Sequence, residues 1–193
     1  MGIKRDFTPN CFYHLISRGN NGQPIFLHRR DYFRYLYCLE KYSNKFLIKV
    51  LSYCLMPNHV HLLIQQGSEN TVSEFMQALN TAYTMYFNLR HSKKGHLFQG
   101  PFRHIMIGSD EYLIHLSRYI HLNPSSAGLA KKPDNYPWSS YRYYIGIDKL
   151  NFVDEAQILS YFSKKDPIGD YKEFVEARID YQRDISLQKL FLE

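Results

Sequence analysis

The sequence predicts an α+β fold. A four-stranded antiparallel sheet is built in the order β-α-β-β-α-β, then a further helix and a helical C-terminal appendage follow. Three observations carry this expectation. Four runs are rich in strand formers, at residues 11–18, 46–55, 59–65 and 98–107. Stretches between them repeat apolar residues at spacings of three and four, the helical period. The two middle strand runs are separated only by the turn at Pro57-Asn58, which makes them a hairpin.

Taken in order, CFYHLISR (11–18) alternates as a strand and is broken by Gly19-Asn20-Asn21-Gly22. Residues 31–42 form a helix through Phe33, Leu36, Tyr37 and Glu40. The hairpin comes next. Thr71 and Glu74 form a capping box for a second helix, whose apolar stripe runs Val72, Phe75, Met76, Leu79, Ala82, Tyr83 and Tyr86. This helix ends in cations (Arg90, His91, Lys93, Lys94) and Gly95, as a helix C-terminus favours. Gly100-Pro101 makes the start of the fourth strand irregular. Ser109 caps a third helix over 110–123, which Pro124 is expected to stop. The first six elements have the ferredoxin-like, or RRM-like, order, in which helices cover one face of the sheet and the other is open to a ligand. Residues 1–128 are expected to form the functional domain. Residues 129–193 form the appendage: an aromatic segment at Tyr136-Pro137-Trp138-Ser139-Ser140-Tyr141, amphipathic helices at 153–162 and 170–179, and a short helix at 186–192.

Composition narrows the function. With 45% hydrophobic and 22% charged residues, the chain can build a core and is not of the disordered class. The net charge of +6 and the 17 Tyr and 13 Phe suit a nucleic-acid partner, since cations meet phosphates and rings stack on bases. They suit a basic enzyme with an aromatic core equally well. Three scattered cysteines exclude a disulfide framework and a Cys-based zinc site, and suit a reducing cytosol. No apolar run reaches the roughly 18 residues of a membrane span, and the first ten residues lack the apolar stretch of a signal peptide.

The chemistry centres on His59-Val60-His61. Strand alternation places both imidazoles on one face. With 9 His in 193 residues such a triplet arises readily by chance, so a third ligand must be sought. On the third helix Tyr119 and Asn123 are four apart and share a face. Asn123 offers an amide oxygen to a hard cation such as magnesium or manganese, and Tyr119 offers a phenol beside it. His115, four residues before Tyr119, is an alternative third ligand. His121 falls on a different face and reads as structural. Tyr119 can also be read as one structural tyrosine among many, and Asn123 as a helix-end residue.

Four ordered blocks complete the pattern: Met56-Pro57-Asn58-His59-Val60-His61-Leu62-Leu63; Gly95-His96-Leu97-Phe98-Gln99-Gly100 with Phe102-Arg103; Arg118-Tyr119-Ile120-His121-Leu122-Asn123-Pro124 with Ala127-Gly128; and the 136–141 segment. Over residues 12–144 the chain resembles the HUH-type tyrosine transposases of single-strand-transposing insertion sequences, in particular the REP-associated tyrosine transposases. The resemblance implies a metal-dependent transposase that nicks and rejoins single-stranded DNA bearing hairpins through a 5′-phosphotyrosine. His59 and His61 match the metal pair, Asn123 the polar third ligand and Tyr119 the nucleophile. It implies magnesium or manganese as cofactor, no nucleotide cofactor, no membrane, and a cytoplasmic, nucleoid-associated protein of bacteria. Some relatives exchange the tyrosine helix between subunits, so a homodimer is compatible with it.

Arg18, Arg90, Lys93, Lys94 and Arg103 are the candidate DNA-binding cations. Two other readings compete. A non-catalytic RRM-like binding module would bind without cleaving, but the sequence lacks an RRM aromatic signature such as Gly-Phe-Gly-Phe-Val. A metallohydrolase using activated water would not depend on Tyr119.

Overall fold

The computed structural model describes residues 7–67, 72–149 and 152–181. Four strands, β1 (Phe12–Arg18), β2 (Lys49–Met56), β3 (His59–Gln65) and β4 (Arg103–Ile107), form one antiparallel sheet in the order β2-β3-β1-β4. The two central strands, β1 and β3, are thus not consecutive in sequence. The expected β-α-β-β-α-β order is the observed one.

The register sorts side chains onto two faces. Arg18 lies opposite His59, Ile16 opposite His61 and His14 opposite Leu63. Across the other pairings Cys54 meets His61, Met56 meets His59 and Arg103 meets Ile16. These residues share the front face. Ser17 and Val60 face the back, where α2 (Val72–His91) reaches the sheet through a bond from Asn80 Nδ2 to Ser17 Oγ (3.1 Å). Helix α1 (Arg29–Lys45) packs beside α2, through Tyr35 on Tyr83. The front face carries α3 (Asp110–Ser126), which lies mainly over β2. Its buried stripe is Leu113, Leu116 and Ile120. The half of the front face nearer β1 and β4 stays open, as the exposure of Arg103 and Ile105 shows.

The C-terminal segment closes the open edge of β2. Leu55 N–H donates to the Trp138 carbonyl (2.9 Å), Ser140 N–H to the Tyr53 carbonyl (3.0 Å), and the Tyr136 hydroxyl to the Leu55 carbonyl (2.7 Å). An unpaired strand edge is a template for aggregation, and these bonds satisfy it within the chain. Short helices α4 (Tyr141–Tyr144), α5 (Glu155–Leu159) and α6 (Pro167–Glu176) follow. Tyr141, Tyr144, Tyr171 and Val175 are fully buried in the same core as the sheet. Among the described residues no helix is long and apolar enough to cross a membrane.

Several boundaries differ from the sequence reading. Helix α1 runs on to Lys45, and Leu47 turns the chain at φ 53°, so β2 starts at Lys49 rather than at Phe46. Here tertiary packing overrides the strand propensity of Phe46 and Leu47. Pro124 does not stop α3, which continues to Ser126. In the last turn a proline removes one helical bond, while Ala127 N–H still closes on Asn123 O (3.0 Å). Val153 bridges to Val50 instead of opening a helix, which shortens α5. Helix α6 begins earlier than expected, because Asp166 caps it by accepting Gly169 N–H (2.9 Å) ahead of Pro167. The Thr71 cap and the helix expected over 186–192 lie outside the described residues.

Candidate active site

The site is assembled by the turn after β1. Gly19 N–H donates to the Asn58 carbonyl (2.7 Å) and Ile25 N–H to the Pro57 carbonyl (2.8 Å), which docks the Gly19–Gly22 turn on the hairpin turn. A Cβ on Gly19 would stand 2.1 Å from the Gln23 carbonyl oxygen, so only glycine allows the approach. Asn58 Nδ2 in turn donates to the Gly22 carbonyl (3.3 Å). Its Oδ1 therefore faces His59 Nδ1, at 2.7 Å. A third strand-like segment closes the wall: Gln99 N–H donates to the Arg18 carbonyl (2.8 Å) and Asn20 N–H to the Leu97 carbonyl (2.8 Å).

These elements and α3 enclose a cleft of about 540 Å³. Its walls bring together His59, His61, Asn123 and Tyr119, with Arg18 and Arg103 at the rim and Asn58 and Gln99 alongside. The Tyr119 ring stands edge-on to His61, centroids 5.9 Å apart, and to His14 at 6.4 Å. His59 and His61 are 4.9 Å apart and perpendicular. Tyr119 remains 43% exposed.

The imidazoles are neutral. Burial pushes His14 down to about 4, and burial with the Arg18 charge pushes His59 down to about 4. Burial holds His61 well below its ordinary value, and His59 and His14 add to the effect. Neutral imidazole is the metal-binding form. Both Nδ1 atoms are occupied, His59 by Asn58 and His61 by His14 (2.9 Å). Among the described residues neither Nε2 has a hydrogen-bond partner. Asn123 Nδ2 donates to the Tyr119 carbonyl (2.9 Å), which leaves Oδ1 as the amide's other atom. Among the described residues no cluster of three or more His, Cys, Asp or Glu side chains is arranged to hold a metal. The donors at this cleft are instead two imidazole nitrogens and one amide oxygen. That set fits a divalent cation with room for phosphate oxygens and water. Burial raises the Tyr119 phenol above its ordinary value, opposed by the Asn123 amide. The phenol is protonated at neutral pH.

The remaining expected residues lie elsewhere. Arg90 pairs with the buried Asp31 at 3.6 Å, and Lys93 and Lys94 are exposed beyond the end of α2. His115 points to Phe174 (5.5 Å) and accepts from Arg118 (2.9 Å), away from the cleft. His121 is fully buried between Tyr171 and Ser140. The sequence reading missed His14, Asn58 and Gln99 as parts of the site. For His14 a signal existed: alternation in 11–18 puts it on the same face as Arg18.

The family model "Transposase IS200 like" matches residues 7–123, more than half of the chain. No curated protein matches. Among solved structures, the fold is similar to that of a REP-associated tyrosine transposase bound to a REP hairpin. That likeness has a TM-score of 0.63 over 80% of this chain and 97% of that one, at 13% identity. A putative transposase from Deinococcus radiodurans matches with a TM-score of 0.45 and 17% identity, over 62% of this chain and 95% of that one.

Proposed function

The chain belongs to the family of IS200-like transposases, and from that premise we propose that it nicks and rejoins single-stranded DNA through a 5′-phosphotyrosine on Tyr119. The observation that carries this reading is the position of the Tyr119 ring, 5.9 Å from that of His61 in one cleft with two arginines. The Tyr119 oxygen forms a bond to the scissile phosphorus while the bond from phosphorus to O3′ breaks, which leaves a free 3′-OH. Because the phosphoester is kept on the protein, a 3′-OH reverses the step without ATP. A water nucleophile would destroy that bond.

His59, His61 and Asn123 would hold magnesium or manganese, which when bound neutralises charge on the scissile phosphate. Arg18 and Arg103, which line the cleft, would hold flanking phosphates, and the exposed Lys93 and Lys94 would attract strand further out. The solved relative was bound to a REP hairpin, so a hairpin-bearing single strand is the substrate class proposed for this chain. Tyr119 stands beside the histidines of its own chain. This placement supports the reading of a site built within one copy.

The test is a denaturing gel after incubation with labelled hairpin-bearing single-stranded DNA and magnesium or manganese. A protein–DNA adduct is expected for the wild type and none for Tyr119→Phe, with DNA affinity kept. An adduct that persists in Tyr119→Phe refutes the nucleophile. Cleavage indifferent to EDTA and to His59→Ala refutes the metal.

A further inference from the structure

His14 is a buried histidine behind the cleft, against His61 and Tyr119, with no part in the chemistry above. It sits on β1, diagonal to His61 across the β1–β3 pairing, and both are nearly inaccessible, at 4% and 5%. Its Nε2 is 2.9 Å from His61 Nδ1, and the two rings are within 20° of parallel. The centroids are 5.2 Å apart, which is the N···N gap plus about one ring radius at each end. The rings therefore lie end to end along a straight N–H···N bond, and do not converge on a common ligand.

We propose that His14 is a positioning residue: it accepts the Nδ1 proton of His61 and so presents the bare Nε2 of His61 to the cleft. This rests on the reading of His59 and His61 as a metal pair. A bond between two neutral imidazoles holds one proton, and its direction has a consequence. If His14 donated, the His61 proton would sit on Nε2 and block that atom as a ligand. At His59 the same choice is already made. Asn58 directs its amide N–H to the Gly22 carbonyl, so its oxygen accepts from His59 Nδ1–H. The two histidines of β3 are then held alike. Each is anchored through Nδ1, one by an amide oxygen and one by an imidazole nitrogen. Such outer partners fix the tautomer and ring orientation of metal ligands.

The test reads the tautomer in metal-free protein, by nitrogen-15 NMR of the histidine side chains, and manganese affinity separately. In the wild type His61 is expected as the Nδ1–H form. His14→Leu is expected to release it to a mixture and to weaken manganese binding by about tenfold to a hundredfold. His14→Gln restores an acceptor oxygen and is expected to recover most of that loss. An Nε2–H form of His61 in the wild type overturns the proposal. So does a His14→Leu variant with unchanged tautomer and manganese affinity. If the Nδ1–H form is present and lost in His14→Leu, but manganese does not bind the wild type, the tautomer role stands and the metal reading fails.

Discussion

Removing one hydroxyl tests how the helix that carries Tyr119 is held. Tyr171 on α6 is fully buried, its hydroxyl 2.7 Å from His121 Nδ1 and 3.0 Å from Ser117 Oγ. Ser117 uses its own proton on the Ile114 carbonyl (2.8 Å), so Tyr171 donates to Ser117 and accepts from His121 Nδ1–H. His121 Nε2 then accepts from Ser140 Oγ (2.8 Å), in preference to the longer 3.2 Å contact of that hydroxyl with the Tyr53 carbonyl. Ser140 Oγ accepts Tyr53 N–H (2.9 Å). In this direction every side-chain group of the relay has a partner. Tyr171→Phe removes a single oxygen atom and strands a buried N–H on His121. That costs about 2 kcal/mol, and in a chain of this size about 2–4 °C of Tm per kcal/mol. Calorimetry is therefore expected to show a Tm lower by about 4–8 °C. The relay lies behind α3 and not in the cleft, so DNA affinity should hold within about twofold while adduct formation slows. A Tm within about a degree of wild type refutes the relay. Equal losses of affinity and rate refute its role in placing α3.

Three further outcomes are expected. His14, His59 and His121 have folded values of about 4, about 4 and about 3, all lowered by burial, so the unfolded chain takes up protons first as pH falls. Stability is then intact above about pH 6.5 and declines toward pH 4, by up to about 1.4 kcal/mol per pH unit per histidine; equal urea midpoints at pH 7.5 and 5 would contradict this. Asp31 accepts N–H from Leu27 (2.9 Å) and His28 (2.8 Å) and binds Tyr86 and His91 (3.1 Å each), so Asp31→Ala should cost about 3 kcal/mol in urea denaturation. A loss under about 1 kcal/mol would show that this cluster does not tie α1 to α2. Arg103→Ala should lower the salt dependence of single-stranded DNA binding by about 0.7 in log–log slope, measured by fluorescence anisotropy across a potassium chloride series. An unchanged slope would remove Arg103 from the phosphate contacts.

Much of the fold is written in short-range pattern. The same-face placement of His59 and His61 follows from the two-residue period of a strand, and that of Tyr119 and Asn123 from the helical period. Neither needs knowledge of the rest of the chain. The hairpin and the order of the first six elements are local in the same sense. Boundaries were less legible where distant contacts decide them. Phe46 and Leu47 have strand character but close α1, and Pro124 is absorbed into the last turn of α3.

By itself the sequence determined which side chains of suitable chemistry share a face with one another. Only the tertiary structure decided which of them meet. Strand order β2-β3-β1-β4 makes β1 the neighbour of β3, and so joins His14 to His61 across 47 residues of chain. The same packing draws Arg90 to Asp31 and away from the cleft, turns His115 toward Phe174, and seats residues 136–140 on the free edge of β2. The physical reason is range. Periodicity and turn chemistry act over a few residues, whereas register, edge pairing and buried polar partners depend on which surfaces find each other when the core closes.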